Sequence, residues 1–80
     1  MLSALQNANK AVGIKQCSKA VENGFAQMAF LAEDAEETIK EPFASLCEAH
    51  QVQLQRVPTM KELGSVCGIE VGAAAAVLLK

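Results

Sequence analysis

Apolar side chains recur along this chain at two different spacings, and the spacing changes at glycines, prolines and acidic clusters. Ser3 is placed to cap a short helix in which Leu5, Ala8 and Val12 repeat at helical intervals, with a break at Gly13. Residues 15–23 carry Cys17, Ala20 and Val21 at i, i+3 and i+4, and Gly24 supplies the left-handed residue that closes helices, which predicts a second helix. Residues 28–32, Met-Ala-Phe-Leu-Ala, form an uninterrupted apolar run bounded by Gly24 and the Glu33-Asp34 pair. That is the pattern of a strand buried on both faces.

Asp34 and Glu37 have capping-box spacing and predict a helix start. Pro42 then kinks or restarts that helix, and Ile39, Phe43, Leu46 and Cys47 share one face. Residues 52–57 alternate apolar and polar until Pro58, predicting a strand with one solvated side. Thr59 and Glu62 form a second capping box, opening a helix with Met60, Leu63 and Cys67 inward and Gly68 as terminator. Residues 73–79 begin with four alanines, but their Val-Leu-Leu ending after Gly72 favours a strand over a helix. The alternation of helices and strands predicts an α/β fold with helices on both faces of a small sheet, its strand order open.

The chain has 80 residues, enough for one domain, residues 1–80, and not for two. An apolar fraction of 51% against 20% charged excludes a disordered or low-complexity segment. The longest stretch free of polar side chains, residues 71–79, is about half of the roughly 18 residues a membrane span requires, and residues 1–7 lack a secretory pattern. Cys17, Cys47 and Cys67 cannot all pair within one chain and form no Cys-x-x-Cys. They read as buried, reduced thiols of a cytoplasmic protein.

Catalysis has little to work with. His50, the one histidine, falls at a predicted helix end, and capping explains the paired acids of residues 33–37. No metal-ligand spacing, phosphate loop, dinucleotide fingerprint or nucleophile elbow is present, so neither an enzyme nor a cofactor is expected.

The formal net charge of −2 argues against a nucleic-acid partner, but the charge is unevenly distributed. Residues 1–21 hold Lys10, Lys15 and Lys19 and no acid, whereas residues 33–48 hold six acids against Lys40, the pattern of a solvated helix face. The second predicted helix is entered through Gly13-Ile14 without a capping side chain, leaving free amides at its positive end. Lys15 and Lys19 line one face, and Gln16 adds an amide suited to a base edge. A solvated helix after a glycine turn and a site for phosphates and base edges fit these residues equally. Ile69 and Val71, set with Glu70 between Gly68 and Gly72, stand where a connecting loop is expected. They either pack into the core or face a partner. The three aromatics are Phe25, Phe30 and Phe43, two of them in apolar core contexts, so no stacking platform is expected and RNA recognition would rest on shape, amides and aliphatic contacts.

Three segments in this order and spacing carry a resemblance: residues 13–21 (Gly-Ile-Lys-Gln-Cys-Ser-Lys-Ala-Val), residues 31–35 (Leu-Ala-Glu-Asp-Ala), and residues 62–64 with 68–75 (Glu-Leu-Gly and Gly-Ile-Glu-Val-Gly-Ala-Ala-Ala). Over essentially its whole length the chain resembles the kink-turn RNA-binding family of ribosomal proteins L-seven-Ae and L-thirty-e, in its short bacterial branch. The resemblance implies a three-layer α/β/α sandwich around a small mixed four-stranded sheet, with a very short strand near residues 11–13. It also implies a non-catalytic, cytoplasmic, monomeric protein that stabilises the bent form of kink-turn RNA, with ribosomal or other ribonucleoprotein components as further partners. In the family a Gly-x-Asn-Glu-x-x-Lys segment contacts the tandem sheared G·A pairs. By position this assigns close approach to Gly13, base edges to Lys15 and Gln16, and a guanine or phosphate to Lys19, with Ile14 also among the RNA-binding residues. The family's late apolar loop, which covers the flipped-out nucleotide, falls on Ile69, Glu70, Val71 and Gly72. Lys15-Gln16 departs from the Asn-Glu usual in archaeal and eukaryotic members, replacing a directed amide and an acceptor by a mobile charge and an amide. A module of the same fold that meets a protein partner through residues 33–48 or the 69–71 loop is the alternative reading. An enzyme with Cys67 as nucleophile ranks third.

Overall fold

The computed structural model describes residues 9–69 and 71–80. In chain order these form β1 (Lys10–Val12), α1 (Ile14–Glu22), β2 (Ala26–Ala32), α2 (Glu37–Ala49), β3 (Leu54–Val57), α3 (Met60–Val66) and β4 (Ala75–Leu79). The strands make one sheet in the order β1-β4-β2-β3, with β4 antiparallel to both β1 and β2 and with β2 parallel to β3. The sheet is therefore mixed.

Helices cover both of its faces. On one, α1 and α2 lie side by side and press Cys17, Val21, Phe43 and Cys47 against Ala29, Leu31 and Val77. On the other, α3 sets Leu63 and Cys67 against Met28, Phe30, Val57 and Ala76. The α/β/α sandwich is as the sequence predicts, and β2 explains why its apolar run is continuous: it sits between two strands and beneath helices on both sides, with Gln27 its one exposed residue. In β4 the alanines divide between the faces, Ala75 toward α1 and Ala76 toward α3, and their small size lets both helix layers come close.

Three expectations need correction, and one open alternative is decided. Lys10, Ala11 and Val12 are the very short strand that the resemblance implies near residues 11–13 and not the end of a helix, because they pair with Leu78, Val77 and Ala76 and a tertiary ladder overrides the local period. The rest of that predicted helix, residues 1–8, lies outside the described residues. Asp34 does not cap the helix that follows it. Its Oδ1 accepts the amide of Met60 at 2.8 Å and so helps to cap α3, while the side chain of Glu36, at the start of α2, caps no backbone amide and accepts the Thr38 hydroxyl at 3.4 Å. Of the two readings of Pro42, the restart is set aside, because the proline lies inside one continuous helix. The strand predicted from residue 52 starts at Leu54 and has no purely solvated side: Leu54 packs toward α1 and α2, Val57 toward α3.

That late start has a local cause. Gln51 takes φ 59°, its amide bonds to Glu48 O at 3.1 Å, and the amide of Val52 bonds to Cys47 O at 2.8 Å. This is a Schellman closure with glutamine in the left-handed position where glycine is usual. Val52 is consumed by the end of α2, and pairing can begin only beyond it. By contrast Thr59 caps α3 as its spacing predicts, accepting the amide of Glu62 at 3.0 Å.

Candidate nucleic-acid interface

Gly13 turns the chain from β1 into α1. Its φ of 95° lies in the region that favours glycine, its amide donates to Ala75 O at 3.0 Å, and its carbonyl accepts the amide of Cys17 at 2.9 Å. The first intrahelical bond is thus made by Cys17. The amides of Ile14, Lys15 and Gln16 precede it, no side chain caps them, and the first turn carries no acid. Beneath them Cys17 is fully buried, its Sγ donating to Ala11 O at 3.4 Å, so the helix start is anchored to the sheet. Lys15, Gln16 and Lys19 are exposed and Ile14 is half-buried.

The second group of residues follows α3. The amide of Gly68, at φ 82°, bonds to Ser65 O at 3.0 Å and that of Ile69 to Gly64 O at 3.0 Å, another Schellman closure. Such a closure draws its next apolar residue inward, and Ile69 accordingly packs on the core beneath α3. Val71 does the opposite and is 71% exposed. The two β-branched residues therefore divide between the core and the solvent. Glu70 lies outside the described residues. Gly72 is exposed and rests on Met60, whose carbonyl accepts the amide of Ala73 at 3.0 Å.

The strand order brings these two groups to one end of the molecule. β1 runs up to Gly13 beside the start of β4, and the bond from Gly13 to Ala75 ties the head of α1 to the chain just beyond Gly72. Ala32, at the top of β2, donates to Ala74 O at 2.9 Å and closes the same end from the other side. Residues 52 positions apart in sequence, Lys19 to Val71, thus belong to segments that meet through three strand ends.

Elsewhere two of the six acids of residues 33–48, Glu33 and Glu37, are paired with cations. Lys40 Nζ lies 3.1 Å from a Glu37 oxygen and donates to Glu33 O at 2.7 Å, and Arg56 Nε lies 3.6 Å from a Glu33 oxygen. These pairs are exposed on the acid side and add little to stability, but they leave the acidic strip less anionic than its composition suggests.

The three thiols are buried. Burial pushes Cys17 up to about 12 and Cys47 up to about 11, and raises Cys67, which Lys10 only partly opposes. A nucleophilic thiol needs a shift in the other direction, so the geometry speaks against Cys67 in that role. Each thiol keeps its proton longer in the folded chain than in the unfolded one. Stability is then level below about pH 9 and falls as pH rises toward 12. Native protein at pH 8 is expected to resist thiol labelling that goes to completion in urea, and the urea midpoint is expected to fall only above about pH 9. Rapid native labelling of Cys67 would contradict both.

Comparison with known proteins joins this geometry to a family. The model of the Ribosomal protein L7Ae/L30e/S12e/Gadd45 family matches residues 2–80. An RNA-binding protein of Caldanaerobacter subterraneus subsp. tengcongensis is 43% identical over 67 residues, which are 84% of this chain and 82% of that protein. RNA-binding protein YbxF of Geobacillus stearothermophilus is 37% identical over 76 residues, 95% of this chain and 93% of the relative. Among solved structures, a Bacillus halodurans protein of unknown function superposes with a TM-score of 0.88 at 25% identity, covering 99% of this chain and 83% of that one. The Giardia lamblia 15.5kD RNA binding protein superposes with a TM-score of 0.91 at 23% identity, covering 99% and 70%, a likeness of fold. With a four-stranded mixed sheet between helix layers and a family match over nearly its whole length, this chain belongs to the Ribosomal protein L7Ae/L30e/S12e/Gadd45 family.

Proposed function

We propose that this chain is a cytoplasmic, monomeric RNA-binding protein that recognises the kink-turn and holds it in its bent form, within ribosomal or other ribonucleoprotein assemblies. The observation that carries this reading is the uncapped, acid-free start of α1, with Lys15, Gln16 and Lys19 exposed, at the end of the sheet that also bears Val71. Free amides and the positive end of the helix suit a phosphate, Gln16 suits a base edge, and the lysines suit guanine or phosphate oxygens. Gly13 leaves open space where a side chain would otherwise stand, so a groove edge can approach the backbone. Val71 offers an aliphatic cover for a base turned out of the stack, with Ile69 buttressing the loop from below and Glu70 and Gly72 completing it.

The mechanism is a shift of population. A kink-turn exchanges between extended and bent forms, and a rigid protein surface complementary to the bent form stabilises it by the difference in affinity between the two. About two to four lysine–phosphate contacts would make the salt dependence modest, which reconciles RNA binding with a net charge of −2. The rival protein-docking reading draws less support: Lys40 and Arg56 already engage Glu33 and Glu37, Asp34 accepts the amide of Met60, and Glu36, Glu41 and Glu48 remain for a partner.

The test is binding to a kink-turn RNA labelled for energy transfer across the bend, beside the same RNA with its tandem G·A pairs replaced, in low and moderate salt. Tight, bend-coupled binding confined to the intact RNA is expected. Equal, weak binding to both RNAs would overturn the reading and return attention to a protein partner.

A further inference from the structure

Two large apolar side chains are exposed among the described residues, Val71 and Phe25. Val71 belongs to the end of the molecule already assigned to RNA, whereas Phe25, 61% exposed, does not. Its backbone is fixed on both sides: the amide donates to Ala20 O at 2.9 Å and the carbonyl accepts the amide of Lys80 at 2.9 Å. Together with the bond from Gly24 N to Val21 O at 3.2 Å and φ 77° at Gly24, this is the Schellman closure of α1. That motif explains an apolar residue here, since it packs on the residue five before it. Here that residue is Ala20, and the ring nevertheless remains on the surface.

The ring borders an open groove of about 430 Å³ along α1, a size in the usual range for small-ligand clefts, about 300–1,000 Å³. Gln16, Lys19 and Asn23, at i, i+3 and i+7, form its helix wall, and Lys10 and Lys80 also line it. No Asp or Glu does. Three of the chain's seven basic residues thus meet in one groove of a protein whose formal net charge is −2. The acid of α1, Glu22, lines a different groove, between α1 and α2. Gln16 and Lys19 belong both to this groove and to the face assigned to the kink-turn, so the two surfaces are continuous. An aromatic ring held on a fixed backbone, beside ammonium groups and amides, is the combination that binds unpaired nucleotides: the base stacks, the phosphate meets a lysine, and little order has to be imposed on binding.

We propose that the groove beside α1 holds an unpaired nucleotide of RNA leaving the kink-turn, its base stacked on Phe25 and its phosphate drawn to Lys19 and the neighbouring lysines. This extends the RNA-binding reading above and rests on it. It makes the protein a reader of the single-stranded flank as well as of the bend.

The test compares a minimal kink-turn duplex with the same duplex carrying a short adenosine extension, placed at each strand end in separate RNAs, and includes the adenosine oligomer alone. The proteins are the wild type, Phe25→Ala and Phe25→Trp, each checked by thermal melting. One extension is expected to tighten wild-type binding about tenfold, in line with one stacked base. Phe25→Ala should lose that gain while binding the minimal duplex as the wild type does, and Phe25→Trp should retain it. If the minimal duplex is not bound at all, the kink-turn reading has failed, and Phe25-dependent binding of the oligomer alone would still uphold the groove. No gain from any extension together with no Phe25-dependent binding of the oligomer, or a gain indifferent to Phe25→Ala, overturns the proposal and leaves an apolar protein contact as the use of the ring.

Discussion

Gly64→Ala is expected to destabilise the protein by about 2–3 kcal/mol, although alanine is the better helix former by roughly 1 kcal/mol. Gly64 lies inside α3 and is buried. A methyl group there would run into the carbonyl oxygen of Val71 and crowd Cα of Gly72, at 3.1 Å. The obstacle is backbone, which cannot rotate away as a side chain can, so α3 and the 69–72 loop must separate or shift. In a domain this small, with total stability on the order of 5–10 kcal/mol, such a loss is a large fraction and lowers the melting temperature by about 10–20 °C. Thermal and urea unfolding measure it. The sign is the decisive feature: propensity alone predicts a slightly more stable variant, and that result would mean the loop is not seated on α3. Because the same contact sets the height of Val71, the residual folded protein is also expected to bind kink-turn RNA more weakly than wild type.

The close approach at Gly64 also marks the boundary of what a sequence can disclose. The regular spacing of Gly64, Gly68 and Gly72 is visible in the chain, but its reason is not: one admits a crossing backbone, one takes a left-handed turn, and one rests on Met60. Elements with strong local signals are legible. The apolar run of β2, the Thr59–Glu62 capping box, the Gly24 and Gly68 closures and the choice of strand over helix for residues 73–79 all stand, the last with its strand opening at Ala75. Features decided between distant segments are not legible. Lys10–Val12 has a helical period and becomes a strand because β4 offers it a ladder, and Asp34 has the spacing to cap its own helix but reaches the amide of Met60.

The candidate site divides in the same way. The missing cap before Ile14 and the exposure of Lys15 and Lys19 follow from local chemistry, and the structure agrees with both. The split between Ile69 and Val71 depends on which one follows the left-handed glycine by a single step, a rule of the Schellman turn available only once the end of α3 is known. Phe25 was the signal missed. It follows Gly24 in the same relation as Ile69 follows Gly68, yet Ile69 packs on the core and Phe25 stays exposed, so the turn signal alone does not decide burial.

The Lys15→Ala, Lys19→Ala double variant is expected to lose about 100-fold in affinity for kink-turn RNA while folding normally. Among the described residues neither lysine takes part in an ion pair, and both are exposed. Removing them therefore breaks nothing inside the protein. Lys19 lies in the last turn of α1, where a cation favours the helix by a few tenths of a kcal/mol, and the higher helix propensity of alanine offsets most of that. The melting temperature should stay within about 2 °C of wild type. The binding loss has a different scale, since two charge-assisted contacts of roughly 1.5 kcal/mol each amount to about two orders of magnitude. Titrations across a salt series provide a second readout. If both side chains meet phosphates, the slope of log K against log salt should become shallower by about 2, whereas a lysine aimed at a guanine edge lowers affinity and discrimination while changing the slope less. Lys15→Arg and Lys19→Arg, tested singly, keep the charge and so the slope, and a change in discrimination between the intact RNA and the one with its G·A pairs replaced then marks the lysine that meets a guanine edge. A double variant that binds within threefold of wild type would move the RNA away from the head of α1. The free amides of Ile14 to Gln16 would then carry no ligand, and the groove at Phe25 would have to act without its neighbour.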